Sequence, residues 1–133
     1  MGFINEGVAP DAELYAYRAL GPGGSGTSIQ VIAAMEQAIK DDVDIINLSL
    51  GNQVNGPDYP TSLAVNKAAE LGVAVVIANG NAGPDGWTVG APATANQALS
   101  VGAASHEQQL PYLYARWDDK KIAITEMTGS PPS

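Results

Sequence analysis

Two short runs of almost purely apolar residues limit what this chain can fold into. Residues 43–50 read VDIINLSL, and residues 73–78 read VAVVIA. An antiparallel strand with one solvated face alternates apolar and polar residues, whereas a strand of a parallel sheet is apolar throughout because both of its faces are covered. The two runs therefore predict parallel strands with cover on both faces.

The segments beside these runs predict helices. Residues 27–40 form the first, because Thr27 and Gln30 have the spacing of a capping box. Residues 61–71 form the second, which ends at a glycine. Each helix has an expected buried face, judged by spacings of three and four residues. These faces comprise Ile29, Ile32, Met35 and Ile39 in the first helix and Leu63, Ala64, Ala68 and Leu71 in the second.

Further strands are predicted at residues 14–20 and 98–103. Strands that alternate with helices through short links predict an α/β fold with a doubly wound parallel sheet in three layers. The pattern changes after Ser105, where aromatic and charged residues precede a short strand-like run at residues 122–125. We therefore expect residues 1–105 to belong to one domain and residues 106–133 to be a linker and the start of an inserted unit.

Charge and cysteine content exclude several classes of function. Fourteen acidic residues against six basic ones give a formal net charge of -8, so neither nucleic acid nor an anionic membrane surface is an expected partner. The absence of cysteine excludes disulfides and thiolate metal sites. No cluster of carboxylates has the spacing of a calcium cage, and we predict no cofactor from the sequence.

A glycine motif offers one alternative function. Gly21, Gly23 and Gly26 match the dinucleotide-binding fingerprint between a predicted strand and a helix. That site also needs an acidic residue at the carboxyl end of the next strand, where ligands of such sheets bind. Asp44 lies at the amino end of its strand instead. Nucleotide binding is therefore a less favoured interpretation.

Three segments together resemble the subtilisin-like serine protease (subtilase) family. They are residues 7–26, residues 44–51 (DIINLSLG) and residues 75–83 (VVIANGNAG), the last of them followed by TVGAP at 88–92 and SVGA at 100–103. Each segment is a weak signal alone, but their order and spacing are specific. The resemblance covers about residues 7–104 and implies part of a subtilisin-like fold.

The resemblance also implies which residues bind substrate. Proteases of this family hold an extended peptide against exposed backbone, as an added strand. The first predicted edge is residues 24–26, the second edge and one pocket wall is residues 49–51, and the opposite wall is residues 78–80. The predicted substrate-binding residues are Gly24, Ser25, Gly26, Ser49, Leu50, Gly51, Ala78, Asn79 and Gly80. Read singly, each segment is an ordinary turn at the end of a strand.

Asn81 is the predicted catalytic residue. In the family, the asparagine of this Gly-Asn pair donates its side-chain amide to the oxyanion that forms during acyl transfer, and a preplaced neutral donor stabilises that charge. Asn52 and Asn79 depart from the family pattern, since many members carry a second glycine and a small residue there. The alternative interpretation of Asn81 is that it only shapes a tight loop.

The Asp, His and Ser of a catalytic triad are not recognised in this sequence. In the family, the Asp and a His-Gly-Thr segment precede the matching region, and the Gly-Thr-Ser of the nucleophile follows it. Gly26, Thr27 and Ser28 spell the same triplet, but they open the first helix and are interpreted as its cap. His106 falls beyond the last matching strand and is interpreted as a loop residue.

These observations lead to a main prediction and one rival. The main prediction is a central fragment of a secreted endopeptidase, inactive alone, whose intact form acts on peptides or proteins. The resemblance further implies calcium in the intact member and, for some secreted members, a protease-associated domain inserted after the oxyanion region. The rival is a non-catalytic binding or scaffold protein with half of the fold. A homodimer of the fragment is expected, because an interrupted sheet exposes unpaired strand edges.

Overall fold

The computed structural model describes residues 8–103 and, further along, the backbone of residues 114–117 and 120–123. The chain forms two compact units, Met1–Val43 and Asp44–Ser133. None of the helices in this described part is long and apolar enough to cross a lipid bilayer. The predicted boundary at residue 105, His106 and the carboxyl-terminal residues 124–133 lie outside the described residues.

The first unit contains helix α1, Ser28–Lys40, which begins where the capping box was predicted. The backbone N–H of Thr27 donates to Gln30 Oε1 over 2.8 Å, and the N–H of Gln30 donates back to Thr27 Oγ1 over 3.3 Å. These reciprocal bonds satisfy two donors that a helix start otherwise leaves unpaired. Ser28 is therefore the first helical residue, in agreement with its interpretation as part of a cap.

The other end of α1 is bonded to the chain that precedes the helix. Asp41 accepts two hydrogen bonds, from Tyr17 Oη over 2.7 Å and from Gln37 Nε2 over 2.9 Å. The bond to the carboxylate favours the protonated phenol and, with smaller effects of desolvation and charge, raises the pKa of Tyr17 to about 12.

Two predictions for this unit were wrong. The buried line on α1 consists of Val31, Met35 and Ala38, while Ile29 is 78% exposed. The predicted face and the observed face share Met35, and both follow helical spacing. Periodicity alone therefore does not decide which of the two faces is buried. The predicted strand at residues 14–20 is not formed. No other strand lies among the described residues of this unit, so residues 14–20 have no neighbouring strand there with which to form interstrand hydrogen bonds.

The second unit contains a three-stranded parallel sheet. Its strands are β1 (Ile45–Leu48), β2 (Ala74–Ala78) and β3 (Leu99–Val101), in that order. Helix α2 (Pro60–Glu70) makes the crossover between β1 and β2. Parallel strands need such a connection because each must return to the same edge of the sheet. The α/β class with a parallel sheet is thus confirmed.

A second, separate sheet follows in the chain. It pairs β4 (Tyr114–Trp117) with β5 (Lys120–Ala123) in antiparallel register. Its antiparallel pairing contrasts with the parallel pairing of the preceding sheet.

One face of the parallel sheet forms the core of this unit. Ile46, Leu48, Val75 and Ile77 alternate along their strands and are all less than a tenth exposed. The prediction of cover on both faces does not hold here, because Ile45 and Leu99 are each 64% exposed. A single crossover helix such as α2 covers one face of the pair it connects, and the apolar residues of the other face stay open.

Helix α2 packs on β2 through a partly polar face. Its buried residues are Thr61, Ser62, Val65 and Ala68, whereas Leu63 is 50% exposed, so the predicted face was wrong apart from Ala68. The hydroxyl of Ser62 lies 3.0 Å from Thr94 Oγ1 and donates to the carbonyl of Gly56 over 3.3 Å. A buried serine is tolerated because these partners replace water.

The helix face can be tested by truncating one side chain on each side. We expect Val65→Ala to lower the free energy of unfolding by about 2 kcal/mol, because Val65 is fully buried and two methyl groups leave a cavity. Leu63→Ala removes more carbon atoms but should cost less than about 1 kcal/mol, since Leu63 is half exposed. Urea unfolding followed by circular dichroism measures both. A larger decrease in the free energy of unfolding for Leu63→Ala than for Val65→Ala would show that the face predicted from the sequence is the buried one.

Candidate functional site

A cleft of about 320 Å³ lies where β1 and β2 end. Leu48 pairs with Ile77 at the last register position, so the chain leaves both strands at the same edge of the sheet. This is the edge at which parallel α/β sheets bind ligands. The lining residues are Ser49, Leu50, Gly51, Asn52, Gln53, Ala78, Asn79, Gly80, Asn81, Ala82, Thr88 and Gly90.

The first wall is the segment that follows β1. Asn47 lies on the open face of the strand and donates from Nδ2 to Ser49 Oγ over 3.3 Å, which orients the first side chain of the wall. Asn52 accepts from the backbone N–H of Val54 through Oδ1 over 2.8 Å. This side chain-to-backbone bond closes a turn of the type that asparagine favours, so Asn52 performs a structural task at this departure from the family pattern.

The second wall continues directly from β2. The backbone N–H of Asn79 donates to the carbonyl of Val101 over 3.0 Å, so pairing with β3 extends into the wall. Gly80 has φ of +98°, a left-handed conformation that strains residues with a Cβ. The chain therefore turns at Gly80, and Asn81 follows this turn as an exposed residue of the cleft.

Backbone hydrogen bonds tie the first wall to the loop that carries Thr88 and Gly90. The N–H of Asn52 donates to the carbonyl of Ala91 over 2.9 Å, and the N–H of Ala91 donates to the carbonyl of Val54 over 2.8 Å. Asn55 adds a side-chain bond from Nδ2 to the carbonyl of Val89 over 2.7 Å. Together these bonds fix the distance between the two segments.

Two glycines permit this close approach. A Cβ on Gly51 would lie 2.9 Å from the carbonyl oxygen of Ala91, and a Cβ on Gly90 would overlap the carbonyl oxygen of Asn52. Both carbonyl oxygens belong to the backbone and cannot move aside as a flexible side chain would. Gly51 was predicted as a site residue, whereas Gly90 was only part of the matching pattern.

The side chains of the cleft are neutral. Asn81 has no hydrogen-bond partner among the described residues, and its exposed amide is available to a ligand. Asn79 differs, since its Oδ1 is shielded from solvent yet finds no partner within the described part of the chain. Such buried acceptors are uncommon in folded proteins.

The structure brings seven of the ten predicted site residues together. These are Ser49, Leu50, Gly51, Ala78, Asn79, Gly80 and Asn81. Sequence reasoning did not predict Asn52 and Gln53 as site residues, although they follow residues 49–51 directly in the chain, and it recognised Ala82 only as part of the matching run 75–83. Thr88 and Gly90 were recognised only as parts of the matching TVGAP run.

The other three predicted residues, Gly24, Ser25 and Gly26, belong to the first unit. There they form a turn in which the N–H of Gly21 donates to the carbonyl of Ser25 over 2.9 Å. Gly24 has φ of +72°, and a Cβ on Gly26 would lie 2.7 Å from the carbonyl oxygen of Ala19. Both glycines are needed by the turn itself, so substitutions at these positions perturb its conformation.

Metal binding has no support among the described residues. No group of three or more histidine, aspartate or glutamate side chains there could hold an ion.

Comparison with known proteins identifies the family. The model of the Subtilase family matches residues 2–118, which is most of the chain. The chain belongs to the subtilase family. This membership argues against the nucleotide-binding alternative, whose acidic residue, Asp44, indeed precedes β1.

Individual subtilases show how much of the family fold is present. The chain is 58% identical over 106 residues to the minor extracellular protease Vpr of Bacillus subtilis, which covers 80% of the chain and 13% of that protein. It is 43% identical to subtilisin DY of Bacillus licheniformis over 73% of the chain and 35% of the relative. The solved structure of sphericase matches with a TM-score of 0.67 and 35% identity, covering 90% of the chain and 37% of sphericase. The chain therefore spans a minor part of each relative and adopts a partial subtilisin-like fold.

The tie between the cleft loops can be tested at Gly90. We expect Gly90→Ala to destabilise the second unit by more than about 2 kcal/mol, because the new Cβ would force the two segments apart. Gly86→Ala in the same loop is the matched control, since nothing lies within 4 Å of its Cβ position. Thermal unfolding measures both variants. Equal stability of the two would show that the loops are not held together as described.

Proposed function

We propose that this sequence forms the substrate-binding and oxyanion-stabilising part of the catalytic domain of a secreted subtilisin-like serine endopeptidase. The observation that carries the proposal is the meeting of two separate segments, residues 49–51 and 78–81, in one cleft at the carboxyl edge of the sheet. Secretion is supported by the name of a relative, the minor extracellular protease Vpr.

The substrate in this proposal is an extended peptide. The residue before the scissile bond enters the cleft between the two walls, and the peptide backbone adds as a strand to exposed backbone at residues 49–51. Residues 24–26 of the first unit are proposed separately as a second peptide-binding edge. Ala78 and Gly80 bring the opposite wall close without bulky side chains. An extended strand suits the site because main-chain hydrogen bonds give affinity that does not depend on sequence.

Asn81 supplies the chemistry of this segment. When a serine nucleophile of the intact enzyme attacks the substrate carbonyl, the carbonyl oxygen becomes an oxyanion. The amide of Asn81 donates a hydrogen bond to that oxygen, and the turn at Gly80 places the amide before the reaction starts. The lining residues that the structure describes are all uncharged, so none of them opposes the developing negative charge.

The nucleophile and the base are proposed to come from other segments of the parent protein. A triad needs a nucleophile, a base and an orienting acid in mutual contact. The sequence has a single histidine, His106, which lies beyond the matching strands. The 133-residue chain is accordingly proposed to be inactive by itself.

This inactivity is directly testable. We expect no labelling of the purified 133-residue chain by a fluorophosphonate probe, because such probes react with a serine only when a base activates it. Mass spectrometry detects the adduct, and a heat-denatured sample controls for nonspecific labelling. An adduct on Ser28 or Ser49 that disappears on denaturation would overturn the proposal of inactivity.

The role of Asn81 is testable in the intact protease that carries this sequence. We expect Asn81→Ala to lower kcat by about 10² to 10³, the size of effect known for an oxyanion-hole asparagine of a subtilisin. KM should change little, because the bond is made mainly in the transition state.

The matched control for that experiment is Asn96→Ala. Asn96 is also exposed, lies outside the cleft and should retain the parental kcat. An unchanged kcat in Asn81→Ala would show that Asn81 does not stabilise the oxyanion and only shapes the loop. Peptide binding without turnover by the intact protein would instead favour the non-catalytic alternative.

A further inference from the structure

The cleft is lined by an unusual set of side chains for a pocket that receives one substrate residue. Within residues 8–103, Leu50 is the only large apolar residue that lines it, and none of the charged or aromatic side chains there takes part. Half of the twelve lining residues carry a neutral hydrogen-bonding group. They are Ser49, Asn52, Gln53, Asn79, Asn81 and Thr88.

Three of these groups are already engaged within the protein. Ser49 Oγ accepts from Asn47, Asn52 Oδ1 accepts from the N–H of Val54, and Thr88 Oγ1 donates to the carbonyl of Asp85 over 2.8 Å. Asn81 is assigned to the oxyanion. Ser49 and Asn52 keep only donors, the hydroxyl proton and the Nδ2 group. Among the described residues, the amides of Gln53 and Asn79 are the two that keep both a donor and an acceptor for the side chain that enters the cleft.

Asn79 is the more constrained of the two amides. Its backbone is fixed at both ends, by the bond to Val101 and by the bond from Gly90 to its carbonyl. Its Oδ1 is shielded from water and has no partner in the described part of the chain, an arrangement that costs free energy until a donor arrives. Rotation about the Cβ–Cγ bond of asparagine is soft, so the amide can turn to meet such a donor.

We propose that Asn79 determines specificity and selects substrates with a carboxamide side chain, glutamine or asparagine, before the scissile bond. This inference rests on the proposed function and names the substrate class of the same cleft. A carboxamide offers one donor and one acceptor face, so it pairs with the oxygen and the nitrogen of Asn79 at once. Gln53 lies beside it as a second neutral partner.

Other classes of side chain fit the cleft less well. A carboxylate or ammonium group would lose its hydration without meeting an opposite charge from the described lining residues, which are all uncharged. A leucine or phenylalanine would cover Asn79 and leave its amide unpaired. Sites built around a hydrogen bond reject analogues that lack it more strongly than apolar pockets reject an extra polar group.

The test uses the intact protease and peptides that differ only in the residue before the scissile bond. We expect kcat/KM for the glutamine peptide to exceed that for the leucine and glutamate peptides by about tenfold. Asn79→Ala should remove this preference by lowering kcat/KM for glutamine about tenfold and leaving leucine within about twofold. The ratio of two substrates on one enzyme preparation is independent of the folded fraction.

Two further variants sharpen the result. Asn79→Asp has nearly the same shape and should raise the ratio of kcat/KM for a lysine peptide to that for a leucine peptide about tenfold, because it adds the missing opposite charge. The ratio cancels the effect of the new carboxylate on the oxyanion, which is common to both substrates. Asn96→Ala, outside the cleft, should keep the parental preference for glutamine.

The outcomes separate this inference from the function on which it rests. A parental enzyme that cleaves peptides but prefers leucine, with the same ratio in Asn79→Ala, would overturn the inference alone. A parental protein that cleaves no peptide and reacts with no fluorophosphonate would overturn the proposed function.

Discussion

The parallel pairing of β1 with β2 is the constraint on which the rest of the second unit depends. The register that places Leu48 beside Ile77 makes both strands end at one edge, so the segments that follow them must face each other. The same register aligns Ile46 with Val75 and gives a continuous apolar face under α2. A slip of one strand by one residue would turn its buried side chains to the other face of the sheet and displace its cleft wall from the opposite one.

The cleft is held by backbone contacts more than by side-chain packing. Hydrogen bonds of Asn52 and Ala91 join the loop after β1 to the loop before β3, and Gly51 and Gly90 let the two backbones approach. Such a scaffold is rigid although it consists of loops, because the donors and acceptors that would otherwise seek water are paired. The side chains that this scaffold holds, Asn79 in particular, then determine which ligand binds.

Neutrality connects the proposed chemistry with the proposed selectivity. The chain carries a net charge of -8, yet the residues that line the cleft in the described part of the chain are all uncharged. A carboxylate there would oppose the oxyanion that Asn81 is proposed to stabilise, and it would attract basic side chains. Amides at Asn79 and Asn81 provide dipoles without a net charge, which serves both the reaction and the choice of substrate.

The sequence by itself determined the order of the elements, their parallel arrangement and most of the cleft. Local signals sufficed there: the capping box of Thr27, the apolar runs of β1 and β2, and short motifs at strand ends. Tertiary structure decided which helix faces are buried, since Ser62 is hidden by its bonds to Gly56 and Thr94 while Leu63 is half exposed. It also decided that Asn79 is left with an unpaired oxygen. Both outcomes depend on partners distant in sequence, and periodicity carries no information about those partners.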